Sequence, residues 1–273
     1  MGYKFTAIAP SSALGAAVKN FFIIEFNNDT PESDYLLPDG LPSFFYLQTD
    51  KPIDTRFGHE GQVVSLHEGL YIGYSNVAVR FTYTRSTIWG ASVYPAYFSI
   101  IFGQSPLDIV NQFRRLEKDE LLCAIRSTLS ETGTFAAKVF ERFEIYIARQ
   151  LDHHFLDGND VLKAFDRLTD SGEYCSRVEE LAQSLGYSPR YLNSRFKRYF
   201  GMPPKQYIKL VRLNRALKCF HDWGKEKNLS FIAQEIDYHD QSHFIRDFKS
   251  ICGKTPKEVL ADTDSLANKF RLF

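Results

Sequence analysis

Cysteine is scarce in this chain: Cys123, Cys175, Cys219 and Cys252 are the only four in 273 residues. None stands in a C-x-x-C pair, which leaves no cysteine framework for structural zinc or a redox dithiol and fits a reducing cytoplasm. No run of eighteen apolar residues occurs, and Pro10, Ser11, Ser12 and Lys19 interrupt the N-terminal stretch, so neither a membrane span nor an export signal is expected. The opening MGYKFT fits the loose acylation pattern M-G-x-x-x-[ST], which is short enough to arise by chance. P-loop, G-x-S-x-G and nucleotide-binding glycine fingerprints are all missing. His59, Glu60, His67 and Glu68 are suitable metal-ligand types, but the H-x-H spacing that sets two imidazoles on one strand face is absent. No catalytic constellation, metal or cofactor is expected.

Net charge is also absent, with 33 Lys+Arg against 33 Asp+Glu, yet the balance is uneven along the chain. Residues 1–170 carry 15 basic against 21 acidic side chains, a net of −6, whereas residues 171–260 carry 16 against 10, a net of +6. A basic C-terminal third on an acidic body is the electrostatic footprint of a nucleic-acid-binding domain. At 44% apolar, 273 residues suffice for two cores.

Up to residue 105 the texture is β. Phe21–Phe26, Ser43–Gln48, Leu70–Tyr74, Val77–Thr84 and Ile88–Tyr94 are short aromatic or β-branched runs parted by Pro, Gly, Asn and Asp. In VAVRFTYT, Val77, Val79, Phe81 and Tyr83 alternate with Ala78, Arg80, Thr82 and Thr84, as a strand with one buried face requires. An antiparallel sandwich or barrel is expected over 1–105. Residues 107–129 and 132–151 then carry apolar positions at helical spacing, among them Phe135, Val139, Phe143, Tyr146 and Ile147. We divide the chain into a β-rich sensor or dimerisation domain (1–105), a helical connector (106–157), an all-α domain (158–262) and a tail (263–273). The fold class is α+β.

The all-α segment contains a duplication. LAQSLGYSPRYLNSRFKRYFGMPPK, residues 181–205, aligns with IAQEIDYHDQSHFIRDFKSICGKTPK, residues 232–257, with one extra residue in the second turn. Ala182, Gln183 and Tyr187 match Ala233, Gln234 and Tyr238; Phe196, Lys197, Gly201, Pro204 and Lys205 match Phe248, Lys249, Gly253, Pro256 and Lys257. Each copy reads as helix, tight turn, helix. Val178, Leu181, Ala182 and Leu185 form the first stripe, Gly186 ends the helix, and Ser188 caps the next with Pro189 at its first position. The second helix has two unlike faces. Leu192, Phe196, Tyr199 and Phe200 face a core, while Arg190, Asn193, Ser194 and Lys197 stand opposite; Phe244, Phe248 and Ile251 repeat the inner face, and Ser242, Ile245, Arg246 and Lys249 the outer.

A helix-turn-helix with an exposed second helix is the geometry that enters the DNA major groove. Arg190, Asn193, Ser194, Gln241, Ser242, Ile245 and Arg246 are the expected base-facing residues, being types that pair with guanine or adenine edges or pack on a thymine methyl. Lys197, Lys249 and His243 are the expected phosphate contacts. HDQSH, residues 239–243, also resembles the H-E-x-x-H of zinc proteases. His239 falls in the turn and His243 in the helix, however, so the two imidazoles do not share a helical face, and Asp240 suits an N-cap better than a general base.

These residues carry a resemblance to the C-terminal DNA-binding domain of AraC/XylS-type bacterial transcription regulators. The joining segment Lys205–Phe220 contains Arg212 to Ala216 as R-x-x-x-A and an apolar face of Tyr207, Leu210, Val211 and Leu217. Asp237 departs from the pattern, standing where the family usually has Gly. The resemblance implies two helix-turn-helix units gripping successive major grooves of double-stranded DNA, a homodimer, contact with RNA polymerase and an activator. It also implies a β-rich, often cupin-like, N-terminal domain for a small-molecule effector or dimerisation. The PDG of 38–40 and IWGASVYPAYFSIIFG (88–103) resemble one subset of such domains. Its aromatics, including Phe44, Phe45, Tyr46, Tyr71, Tyr74, Phe81, Tyr83, Trp89, Tyr94 and Tyr97, read as core with a few left for a pocket. The alternative is a cupin-like or small-molecule-binding enzyme with a helical association domain; a DNA-repair protein with an alkyl-accepting cysteine is disfavoured because none precedes Cys123.

Overall fold

A computed structural model describes residues 3–131, 136–151, 177–223 and 227–262. The boundary expected at 157–158, the tail from 263 and Cys175 lie outside the described residues. The N-terminal half is two antiparallel sheets face to face. The larger runs β1-β2-β9-β4-β7-β10, from β1 (Tyr3–Ile8), β2 (Val18–Phe26), β9 (Ser86–Val93), β4 (Ser43–Thr49), β7 (Gly69–Tyr74) and β10 (Gln112–Arg115). The smaller runs β3-β8-β5-β6, from β3 (Glu32–Leu36), β8 (Val79–Tyr83), β5 (Ile53–Phe57) and β6 (Val64–Leu66).

Both faces of the larger sheet are covered, which is why β2 reads as a continuous apolar run rather than an alternation. Phe22, Ile24 and Phe26 point between the sheets with Phe45, Leu47 and Phe81. Phe21, Ile23, Phe44, Tyr46 and Ile72 point the other way, onto α1 (Pro95–Phe102) and α3 (Ala136–Leu151). Rings fasten this layer: Phe21 lies 5.3 Å from Phe140 and Phe44 4.9 Å from Phe143. The amphipathic α2 (Asp119–Ser130) packs beside α3, burying Leu121 and Ile125.

Two expectations fail. Residues 107–129 are not one helical stretch: a short 3-10 turn (Pro106–Asp108) leads into β10, which pairs with β7 and extends the sheet past residue 105. Phe113 decides this by lying over Gly73, where an added Cβ would meet its ring at 2.3 Å, and by packing on Phe57 and Phe45. Residues 95–102 are helical inside a region read as β. They are apolar on nearly every side because the sheet, α3 and the C-terminal half surround them, so no helical polar face is left in the sequence.

The C-terminal half holds α4 (Val178–Ser184), α5 (Pro189–Phe200), α6 (Pro204–Trp223), α7 (Leu229–Glu235), α8 (Gln241–Cys252) and α9 (Pro256–Ala261). Their buried residues are continuous with the helical-side core of the β domain, one cluster running from Leu14 to Val259.

Candidate nucleic-acid interface

The two bihelical units, α4–α5 and α7–α8, are built by equivalent local devices. Ser188 accepts the Tyr191 N–H and Asp240 accepts the His243 N–H, each capping its second helix. The Asp240 carboxyl is held below its ordinary range chiefly by that His243 N–H. Ahead of these caps, Gly186 has φ +71° and Asp237 φ +60°, so Asp237, which takes the place of Gly186 in the repeat, does adopt the left-handed turn, a region Asp tolerates better than most residues. Between the units, α6 buries Tyr207, Leu210, Leu213 and Leu217, with Val211 half-buried.

Leu192, Phe196, Tyr199 and Phe200 are buried, as are Phe244, Phe248 and Ile251. Opposite them Arg190, Ser194 and Lys197 are exposed and Asn193 is half-buried; Ser242, Arg246 and Lys249 are exposed. Arg190, Lys197, Arg246 and Lys249 take part in no ion pair among the described residues. Four cations at the outer face of two duplicated helices are thus left to solvent. The remaining three positions are less open. Gln241 is half-buried and its side-chain oxygen accepts the Ser230 hydroxyl at 2.6 Å. Ile245 is half-buried against the edge of the core. The His243 ring stands edge-on to Tyr238, 5.1 Å away, with Nε2 3.5 Å from Asp247 Oδ2.

Asp247 is a residue the sequence reading passed over. It is buried on α8, and the Lys209 ammonium of α6 lies 2.8 Å from its Oδ1, while Tyr238 donates to Oδ2 at 3.3 Å. This network locks the second unit to the joining helix. At the equivalent place in the first unit stands Arg195, which instead lies 4.8 Å over the Tyr199 ring. Asp247 breaks the repeat where Arg195 would be expected, and that asymmetry was the available signal. Tyr191, matching His243 in register, is 44% exposed beside Arg190 and Asn193.

The far ends of both second helices rest on the β domain. Gly201 ends α5 at φ +65°, and a Cβ there would lie 2.7 Å from the Pro106 carbonyl carbon and oxygen. Gly253 ends α8 at φ +69°, and a Cβ there would lie 2.0 Å from His59 Nε2. His59 bonds the Gly253 carbonyl at 2.9 Å, and Ala78 N–H donates to the Ile251 carbonyl at 2.8 Å. Tyr35 carries the Lys254 ammonium 4.0 Å over its ring and donates to Asp262 at 3.2 Å. Meanwhile α6 reaches the Pro38–Gly40 turn: Asn214 donates to the Pro38 carbonyl at 3.3 Å and Tyr207 to the Gly40 carbonyl at 3.4 Å.

The histidines of HDQSH do not converge: His239 is almost fully exposed in the turn, while His243 faces Asp247. Of the four N-terminal ligand types, His59 is engaged by Gly253, and Glu68 accepts from Tyr46 and Arg126. Among the described residues, no three His, Cys, Asp or Glu side chains are grouped to hold a metal. No described helix is long and apolar enough to cross a membrane.

Residues 181–262 match the family described as a helix-turn-helix domain. The F1 operon positive regulatory protein of Yersinia pestis is 37% identical over 81 residues, 30% of this chain and 26% of that protein. The XylDLEGF operon transcriptional activator of Pseudomonas putida is 26% identical over 133 residues, 47% of this chain and 40% of that protein. Matches to curated relatives span between 10% and 43% of those proteins' lengths. Among solved structures, ToxT from Vibrio cholerae O395, bound to (E)-4-(8-methylnaphthalen-1-yl)but-3-enoic acid, superposes with a TM-score of 0.50 at 13% identity, covering 96% of this chain and 99% of that one. Its arrangement of a β-rich half followed by helices is the one seen in this chain.

Proposed function

From the premise that residues 181–262 form a helix-turn-helix domain of the AraC type, we propose that the chain is a sequence-specific DNA-binding regulator of transcription. The observation that carries the proposal is the pair of solvent-facing cationic ridges at equivalent positions of a duplicated unit, with Arg190 and Lys197 on one and Arg246 and Lys249 on the other. Laid in successive major grooves, α5 and α8 present Arg190, Asn193, Ser194, Gln241, Ser242, Ile245 and Arg246 to base edges. Lys197 and Lys249, about two turns along, meet phosphates, and His243 does so through its exposed ring edge. Release of counterions by these lysines makes binding steeply salt-dependent.

The regulator acts as an activator, a reading supported by relatives named as a positive regulatory protein and a transcriptional activator; following the resemblance, it does so in the cytoplasm as a homodimer in contact with RNA polymerase. Those relatives are regulators rather than enzymes, and the chain is assigned no catalytic role. The β domain serves as a small-molecule sensor. Support comes from the cavity between its sheets, whose wall includes Pro38 and Asp39 of the turn that α6 holds. Selection of duplexes from a random pool tests the whole reading. Arg190→Ala and Arg246→Ala relax preference at single positions by about 1–3 kcal/mol, whereas Lys197→Ala weakens all sequences alike and lowers the salt slope by about one. Equal losses on selected and random duplexes for the arginine variants would refute the base-contact assignment.

A further inference from the structure

The flank of α5 beside its outward ridge differs from the matching flank of α8. Arg190, Ser194 and Lys197 recur at i, i+4 and i+7; Tyr191 and Arg198, each one residue later than an end of that ridge, stand on a second stripe about 100° further round the helix. Tyr191 is 44% exposed, and Arg198 is exposed as well. At the equivalent places in the repeat α8 has His243 and Ser250. The Ser250 hydroxyl turns back onto its own helix, donating to the Asp247 carbonyl at 2.7 Å, and the His243 ring faces the Asp247 carboxylate. The two ridges are alike in charge, with a pair of cations each. Their flanks are not: α5 carries Arg198 with Arg195 beside it, whereas α8 carries a buried carboxylate.

A helix with its side chains is about 10–12 Å across, and the major groove is about 12 Å wide. A helix that turns its ridge to the base edges must therefore bring its flanks against the sugar-phosphate walls. On the other side of the ridge Asn193 is half-buried and Phe200 beyond it is buried, so the flank open to a wall is the one holding Tyr191 and Arg198. Both side chains are already placed. The Tyr191 ring meets the Tyr187 ring, 4.9 Å away, and the Arg195 guanidinium at 5.9 Å. Arg198 lies 5.6 Å from the Tyr199 ring, which also carries Arg195 at 4.8 Å. Side chains held in this way lose less freedom on binding than mobile ones. Arg198 takes part in no ion pair among the described residues, which leaves its charge for an anion.

We infer that Tyr191 and Arg198 grip one phosphate wall of the groove that α5 occupies, and that the first helix-turn-helix unit therefore anchors the protein on DNA while the second adds mainly base discrimination. The inference rests on the DNA-binding reading above and specifies how that site is divided. A guanidinium takes phosphate oxygens two at a time, and a tyrosine hydroxyl donates to one. Each cation that meets a phosphate releases counterions, so the unit with the additional arginine carries the larger share of the salt dependence. On α8, Asp247 holds Lys209 and Tyr238, which ties the corresponding flank to the joining helix rather than to the duplex.

Equilibrium binding of the full-length chain to the selected duplex, measured from about 50 to about 200 mM salt, tests the division. Arg198→Ala lowers the slope of log affinity against log salt by about 0.9, so the parent's advantage over the variant shrinks about 3.5-fold across that range. Arg198→Lys keeps the slope. Tyr191→Phe weakens binding about tenfold at every salt concentration with no change in slope, the size of one hydrogen bond to a charged group. Ser250→Ala, at the matching place on α8, changes neither affinity nor slope. These side chains are exposed, and urea midpoints equal to the parent's show that each variant is folded. An unchanged slope in Arg198→Ala, or equal changes from Arg198→Ala and Ser250→Ala, overturns the inference. Shortening the duplex from the end whose base preference Arg190→Ala relaxes removes more of the slope than shortening it from the end that Arg246→Ala relaxes; the reverse order overturns the anchoring role. A parent chain that selects no duplex defeats the DNA reading itself, whereas selective binding with an unchanged Arg198→Ala slope defeats this division alone.

Discussion

Alanine at the three left-handed glycines of the C-terminal half separates backbone strain from contact with the β domain. Gly186, Gly201 and Gly253 share φ values of +71°, +65° and +69°, so the intrinsic cost of adding a Cβ is common to all, about 1–2 kcal/mol. Their surroundings differ. Nothing lies within 4 Å of a Cβ at Gly186, which makes Gly186→Ala the reference. At Gly201 the Cβ meets the Pro106 carbonyl at 2.7 Å and Val110 Cγ2 at 2.8 Å. Main chain cannot swing aside, so an overpacking cost of about 1–3 kcal/mol is added, giving roughly 2–5 kcal/mol in all. At Gly253 the obstacle is the His59 ring, at the end of a side chain that can rotate away, with loss of its bond to the Gly253 carbonyl at about 1 kcal/mol. Gly253→Ala thus costs about 2–3 kcal/mol, and in a His59→Ala background its cost falls back to the Gly186 reference. Urea unfolding followed at Trp89, packed on Phe140, and Trp223, packed on Phe231, reads both halves of the molecule. If Gly201→Ala costs no more than Gly186→Ala, or if His59→Ala leaves the cost of Gly253→Ala unchanged, the β domain is not seated on the ends of α5 and α8.

Asp247→Asn removes the charge that Lys209 approaches at 2.8 Å in a largely buried setting; a loss of about 1.5–3 kcal/mol is expected from urea midpoints, together with weakened duplex binding by the second unit. Asp39 should give a pH signature of opposite sign to a salt-bridged acid. Its folded-state carboxyl is raised above the ordinary value, so the folded chain holds the proton longer than the unfolded one and stability falls as pH rises from the ordinary carboxylate value through the raised one. Asp39→Asn removes that fall, and urea midpoints that decline with pH as steeply in the variant as in the parent would contradict it.

The helix-turn-helix units were legible because everything that specifies them is local. Within each unit the cap (Ser188 or Asp240), the left-handed turn (Gly186 or Asp237) and the apolar spacing, such as the i, i+4, i+8 of Leu192, Phe196 and Phe200, fall in one short stretch of chain, and the repeat states them twice. In the β domain the same reading caught only strands buried enough to be apolar, namely β2, β4, β7, β8 and β9. It passed over β1, β3, β5, β6 and β10. Glu32–Leu36 pairs only with β8 and buries little but Tyr35, and Val64–Leu66 buries only Leu66, so neither leaves a hydrophobic trace. The contacts between halves had no signal at all. His59 against Gly253 spans 194 residues and Tyr207 against Gly40 spans 167, and no periodicity or cap encodes a pairing at that distance. Even the aromatics read as core or pocket could not be sorted. Phe45 and Phe81 line the cavity whereas Phe44 packs on helices, a distinction set by which face of a doubly covered sheet each occupies.

The placement of the two glycine-capped ends has a mechanical consequence. A recognition helix fixed only through its own unit can rock about the core contacts near its middle, Phe196 in α5 and Phe248 in α8, and the spacing of two such helices then depends on α6 alone. Here α5 and α8 are each also held at their C-terminal ends by separate parts of the β domain, the turn at Pro106 and the edge at His59 and Ala78. Arg190, Gln241 and Ser242, among the residues proposed to face bases, sit at the opposite, N-terminal ends. A displacement of either support is therefore levered across the twelve residues of each helix, roughly 18 Å at 1.5 Å per residue, so a shift of about 1 Å at the supported end tilts the reading end by a comparable amount in the opposite sense. Base contacts fail at misplacements of that size because hydrogen bonds weaken steeply outside their narrow range of distance and angle. Lys197 and Lys249, proposed to meet phosphates, lie about two turns from those first-turn residues and closer to the helix middle, so they move less. Disturbing the β domain should then erode sequence discrimination before it erodes affinity, which is the order in which His59→Ala and the selected duplexes can be used to check it.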